Sequence, residues 1–128
     1  MKSFYFDNGF EIITPVGWEE EKDNNLVSLY NAVDGIGALQ FSFYQVDNSD
    51  SIDLCINLKR FLSDKHNPIN VEMMDNYAYS NAVDDGGIYW RYWLFLKSPY
   101  LAFASYNCDD IHKDKEMIVI NDIMKSIL

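Results

Sequence analysis

The densest group of side chains capable of chemistry is Cys108-Asp109-Asp110-Ile111-His112. A thiol near an imidazole can form a nucleophilic pair, and Cys, Asp and His together can ligate a metal. A metal site requires several such ligands to converge, and a reactive thiol requires an electropositive setting. Cys108 instead stands beside carboxylates. The stronger reading is structural. Cys108 ends a strand, Asp109 or Asp110 caps a helix, and His112 falls in its first turn. No catalytic residue, metal ligand or cofactor is expected.

Two acidic runs come next. Glu19-Glu20-Glu21, with Asp23, offers a contact surface for a basic partner, or else a solvated loop. Asp84-Asp85-Gly86-Gly87 lacks the spaced carboxylates and later glutamate of a calcium loop, and turn chemistry accounts for it. His66 falls at a helix end and needs no functional explanation. No dinucleotide, P-loop, nucleophile-elbow or HExxH motif is present.

Aromatic residues form the third group. Trp18, Tyr89, Trp90 and Trp93, with Arg91, make a typical contact patch if a sheet face is uncovered, and core if it is not. The candidate binding residues are therefore Trp18, Glu19, Glu20, Glu21, Tyr89, Arg91 and Trp93.

Residues 87–109 must position most of these rings. Strands favour β-branched and aromatic residues, and side chains alternate between faces. Ile88, Trp90, Tyr92, Leu94 and Leu96 share one face, and Tyr89, Arg91, Trp93, Phe95 and Lys97 share the other. Both are apolar at the centre, so this is expected to be a central strand. Ser98-Pro99 makes the turn, and residues 100–107 return. Short strands are expected at 4–6, 10–14 and 26–30, with a longer one at 38–46. Asp7-Asn8-Gly9 reads as a turn, Pro15 to Trp18 as a corner and 19–25 as an acidic loop.

A helix capped by Asp50 or Ser51 and running to about His66 carries the stripe Leu54, Leu58, Phe61 and Leu62. Asn67-Pro68 ends it, with Lys65 near its C-terminus. Weaker strands follow at 69–74 and 77–83. A last helix over 113–128 carries Met117, Ile120, Ile123, Met124 and Ile127. This order of elements predicts an α+β domain: an antiparallel sheet with two main helices packed on it.

The length of 128 residues predicts a single domain over 1–128. A net charge of −10 argues against nucleic acid and anionic membranes, and permits a basic protein partner or simply high solubility. No export signal or membrane-length apolar run is visible, so the expected location is cytoplasmic, with Cys55 and Cys108 reduced.

The Pro15-Val16-Gly17-Trp18 corner, the early helix, the aromatic hairpin and the closing Ile123 to Leu128 segment resemble the PsbP-like fold. That superfamily includes photosystem subunits, Ran-binding Mog proteins and bacterial effector chaperones. The chain is also similar to small uncharacterised Bacteroides-type bacterial proteins. The resemblance implies an α/β/α sandwich and a non-enzymatic, protein-binding role as an adaptor, effector chaperone or immunity-type protein. It carries over no functional residues, and a fold alone does not set function. The alternative is a small-ligand-binding protein or enzyme with a pocket between helix and sheet, near Trp90, Trp93 and His112. Self-association through the sheet edge or aromatic face is a third expectation.

Overall fold

Ten residues of strand, a tight turn and ten residues of return strand form the middle of the molecule. A computed structural model describes residues 1–6, 9–47, 51–64 and 70–127. The expected Asp7-Asn8 turn, an Asp50 cap, the helix end at 65–68 with His66, and the start of a strand at Ile69 lie outside the described residues.

In chain order the elements are β1 (Lys2–Tyr5), β2 (Glu11–Thr14), β3 (Trp18–Asp23), β4 (Leu26–Asn31), β5 (Ala38–Gln45), α1 (Leu54–Leu62), β6 (Glu72–Met73), β7 (Tyr77–Val83), β8 (Ile88–Lys97), β9 (Tyr100–Asp109) and α2 (Met117–Ile127). A seven-stranded antiparallel sheet has the order β3-β4-β5-β9-β8-β7-β6, and β1 and β2 pair apart from it. The fold is α+β, as the element order implies.

The hairpin register sets Trp93 opposite Ala104 and Phe95 opposite Ala102. These alanines are buried and leave room above the sheet for larger side chains. Ile120, Ile123, Met124 and Ile127 of α2 join Trp93, Phe95, Phe41 and Leu39 in one core, together with Phe4, Phe10 and Ile12 of the β1–β2 hairpin. Leu58 and Leu62 of α1 join Tyr92, Leu94, Ala78 and Leu101 in a second core on the opposite face. At nine residues, α1 is below the roughly 12–15 at which an isolated helix becomes marginal in water, so its docking through Leu58 and Leu62 decides its existence.

Several boundaries differ from the sequence expectation. The acidic loop at 19–25 is instead β3, an edge strand paired with β4 from Trp18↔Asn31 to Asp23↔Leu26. Glutamates are poor strand formers, but charge is how an exposed edge avoids pairing with other chains. Asn24, at φ 55°, turns the chain tightly between the two strands. The α1 cap is Asp53 rather than Ser51; its carboxylate accepts from the Ile56 N–H at 3.0 Å. Lys59 and Arg60 occupy the last turn of α1, which stops at Leu62. The strand expected over 69–74 contracts to β6.

The last helix starts later than expected. Asp110–His112 form a short 3-10 turn, so Asp109 and Asp110 do not cap α2. Glu116 begins α2 instead, its carbonyl accepting from Ile120 N–H at 2.9 Å. Its buried carboxylate accepts from the Gly37 N–H and the Tyr106 O–H, both at 2.8 Å. One side chain thus ties the start of α2 to the entry of β5 and to β9. The approach requires glycine at 37, because a Cβ there would overlap the Asn107 carbonyl and the Tyr106 ring.

Removing this pin should be measurable. Glu116→Ala leaves a buried and a half-buried donor without an acceptor and should lower stability by about 1–3 kcal/mol. Gly37→Ala forces backbone movement and should cost about 1–3 kcal/mol. Urea denaturation followed by far-UV circular dichroism reads both, and midpoints unchanged from the parent protein would refute the pin.

Candidate binding site

The two sheet faces are covered unequally. On the α2 side, α2 and the β1–β2 hairpin share the cover. On the other side, α1 packs over the β7–β8 end and leaves the β3–β4–β5 end open. Strand pairing fixes what that open end presents. One row reads Glu21, Ser28, Gln40, Ser105 and Tyr92 across successive strands. The next reads Asp23, Leu26, Ser42, Phe103 and Leu94. A third places Glu19 beside Tyr30 and Asn107 beside Trp90.

Where α1 meets the open end there is a trough of about 440 Å³, floored by Gln40, Ser42, Tyr92, Phe103 and Ser105 and walled by Phe61 of α1 and by Asp64 just beyond its end. An unbroken file of rings runs through it. Trp90 stacks on Tyr92 at 5.8 Å, Tyr92 on Phe103 at 6.0 Å and Phe103 on Phe61 at 4.8 Å, and Tyr44 tilts against Phe61 at 5.4 Å. Tyr92 is buried in this file, so Trp90, Phe103, Phe61 and Tyr44 supply its accessible ring surface.

Local hydrogen bonds hold the polar groups and the terminal indole. Gln40 Nε2 donates to Ser28 Oγ at 3.1 Å, and Tyr30 O–H donates to Glu21 at 3.2 Å. The Trp90 indole N–H donates to Asp84 Oδ2 at 3.0 Å, while Asp84 Oδ1 accepts from the Gly86 and Ile88 amides. The 84–87 segment is the expected hairpin turn, and its first carboxylate also orients Trp90.

The seven candidate residues do not form one patch. Trp18 is 1% exposed and packs in the α2-side core, so it is core and not contact surface. The alternation of β3 sends Glu19 and Glu21 to the open face and Glu20 to the other. Tyr89, Arg91 and Trp93 lie on the α2 side, where Trp93 is 2% and Arg91 8% exposed. The residues that sequence reasoning missed are Gln40, Ser42, Tyr44 and Phe61; Trp90 was named in the aromatic patch and beside the alternative pocket, but with Trp93, which lies on the opposite face. Their alternation was legible, but not which face α1 would leave open. In the Cys108–His112 run, Cys108 is buried and burial pushes its thiol pKa up, the opposite of activation. Among the described residues no three His, Cys, Asp or Glu side chains come together to hold a metal.

No protein-family model matches the sequence, and no curated protein matches it. Solved structures do. The chain is similar to the solution structure of cyanobacterial PsbP (CyanoP) from Synechocystis, with a TM-score of 0.67 at 10% identity over 98% of this chain and 89% of that one. The chain has a PsbP-like fold. It is also similar to a crystal structure from Bacteroides thetaiotaomicron, with a TM-score of 0.54 at 13% identity over 83% of this chain. It spans 41% of that longer chain. Among the described residues, no helix is long and apolar enough to cross a membrane.

Within this PsbP-like sheet the buried phenols carry a pH signature. Burial, reinforced by nearby Tyr79, pushes the Tyr89 pKa up to about 12. Tyr92 is also raised, by burial and then by Asp84, and Tyr106 by burial and then by Glu116. A phenol with a raised folded pKa stays neutral in the folded protein while the unfolded chain ionises. The stability Tyr89 contributes is full below the ordinary value of 10.0 and lost as pH rises through about 12. An alkaline ultraviolet titration should show phenols that ionise only as the protein unfolds, with urea midpoints falling from about pH 10 upward. A titration in which every tyrosine ionises near pH 10 while the fold persists would contradict this burial.

Proposed function

We propose that the chain is a non-enzymatic protein-binding module and that the trough with its acidic margin is its docking surface. The observation that carries this reading is the file of rings from Trp90 to Tyr44 on the open sheet face, beside the carboxylates of Glu19, Glu21, Asp23 and Asp64. Aromatic anchors inside a polar rim are the usual make-up of an interface centre. The margin is acidic and the chain carries −10 overall, so the partner segment is basic. Lys and Arg stems can lie along ring edges while their charged heads reach the margin. An adaptor or chaperone role for another protein follows from such a surface, with no reaction step.

A second reading is favoured by a different observation. The trough of about 440 Å³ lies between helix and sheet and has the size of a small-molecule site. Its polar floor of Gln40, Ser42 and Ser105 would orient such a ligand.

Titration with an Arg/Lys-rich peptide, read by amide chemical shifts, separates these readings. Under the first, shifts concentrate at Gln40, Ser42, Tyr44 and Trp90, and affinity falls steeply with salt. The charge-reversed variant Glu19→Lys/Glu21→Lys/Asp23→Lys should bind at least about tenfold more weakly with little change in stability, since these side chains are at an exposed edge. Shifts scattered over the surface, or binding indifferent to both salt and charge reversal, would remove the proposal. An acidic peptide that binds the trough as well as the basic one would do the same.

A further inference from the structure

The opposite sheet face holds a buried positive charge that has no counter-ion among the described residues. Arg91 projects from β8 beneath α2 and is 8% exposed. Its Nε donates to the Tyr79 hydroxyl at 2.9 Å and its Nη2 to Asn121 Oδ1 at 2.6 Å. Both acceptors are neutral. Its Nη1 is buried and has no hydrogen-bond partner among the described residues. The ion pairs of the described residues are Lys22–Glu20 and Lys113–Asp110, and neither involves Arg91. The guanidinium lies 4.7 Å from the Trp93 ring and 5.5 Å from that of Tyr79, which offsets part of its desolvation.

That compensation is incomplete. A desolvated charge normally requires an opposite charge as well as hydrogen bonds, and an orphaned donor on a charged group is costlier still. The anomaly is sharper in a chain with twice as many acidic as basic side chains, 20 against 10. Among the described residues, no carboxylate lines the cleft onto which Arg91 opens. The cleft has a volume of about 350 Å³ and runs between β7–β8 and α2. Tyr77, Met74 and Met124 give it apolar walls, and Lys125 adds a second cation at its edge.

We propose that this cleft is a binding site for a small organic carboxylate. The carboxylate supplies the missing counter-charge to Arg91, with Lys125 as the outer partner, and an apolar body fills the space along Tyr77, Met74 and Met124. A guanidinium matches a carboxylate in geometry as well as charge, and the Trp93 and Tyr79 rings flank it. The site is independent of the trough, which lies on the other side of the sheet.

Phenylacetate is a suitable probe and phenylacetamide its uncharged control, with Trp93 fluorescence and amide shifts of residues 121–125 as readouts. Phenylacetate should perturb both and raise the thermal midpoint, and the amide should bind at least about tenfold more weakly. Arg91→Lys keeps the charge but loses the fork, and should weaken binding at least about tenfold. Asn121→Asp puts a carboxylate where the Asn121 amide now accepts. It should raise the stability of the free protein and abolish phenylacetate binding, and it keeps the test decisive if an Arg91 variant does not fold. The proposal is overturned if the amide binds as well as the acid, or if Asn121→Asp leaves phenylacetate binding intact. It is equally overturned if inorganic phosphate binds this cleft and phenylacetate does not.

Discussion

The β8–β9 hairpin carries apolar side chains on both faces, and such a ribbon must be covered twice before it is stable in water. Much of the architecture answers that constraint. The β1–β2 hairpin, which pairs with no strand of the main sheet, helps α2 close one face. The shorter α1 closes part of the other, chiefly over the β7–β8 end. The Glu116 carboxylate sets α2 in place by gripping the sheet at Gly37 and Tyr106. Two recesses lie where these covers meet the sheet: the trough beside α1 and the cleft beneath α2.

The two sites are electrostatic opposites within one acidic molecule. The trough has Asp64 at its wall and the β3 carboxylates beyond its β4 side, whereas the cleft is lined by Arg91 and Lys125 and, among the described residues, by no carboxylate. A seven-stranded sheet separates them. Overall charge therefore describes encounter with a partner at long range, and says little about what each recess accepts at contact distance.

Much of the fold was legible in the sequence because its strongest signals coincide with its most buried elements. The alternation in Ile88–Lys97, the Ser98-Pro99 turn and the stripe on Met117–Ile127 each follow from one dominant periodicity. What escaped notice was governed by exposure rather than burial. β3 hid behind glutamates whose strand propensity is poor, although Asn24-Asn25 is a hairpin signal. The cap of α1 was expected at Asp50 or Ser51, yet the carboxylate that holds the Ile56 amide is that of Asp53, in a run where several side chains could cap. The candidate site was less legible still. Trp18 and Trp93 were singled out for ring size, yet ring size is what places them in the core. Trp90 lies one pleat away from Arg91, and no local pattern reveals that α1 stops short of covering the β3–β5 end.

The edge strand β3 has a further consequence for many copies of this chain in one solution. Its six residues include Glu19, Glu20, Glu21, Lys22 and Asp23, so both pleats of the open backbone edge are charged. An identical edge approaching it brings mostly carboxylates against carboxylates, and the backbone groups that would zip two sheets together are held apart. The other outer strand, β6, is two residues long and offers little to zip. The barrier is electrostatic, not steric, and ions shorten its reach. The charge pattern at the rim of the sheet thus opposes edge-to-edge pairing of copies most strongly in dilute salt.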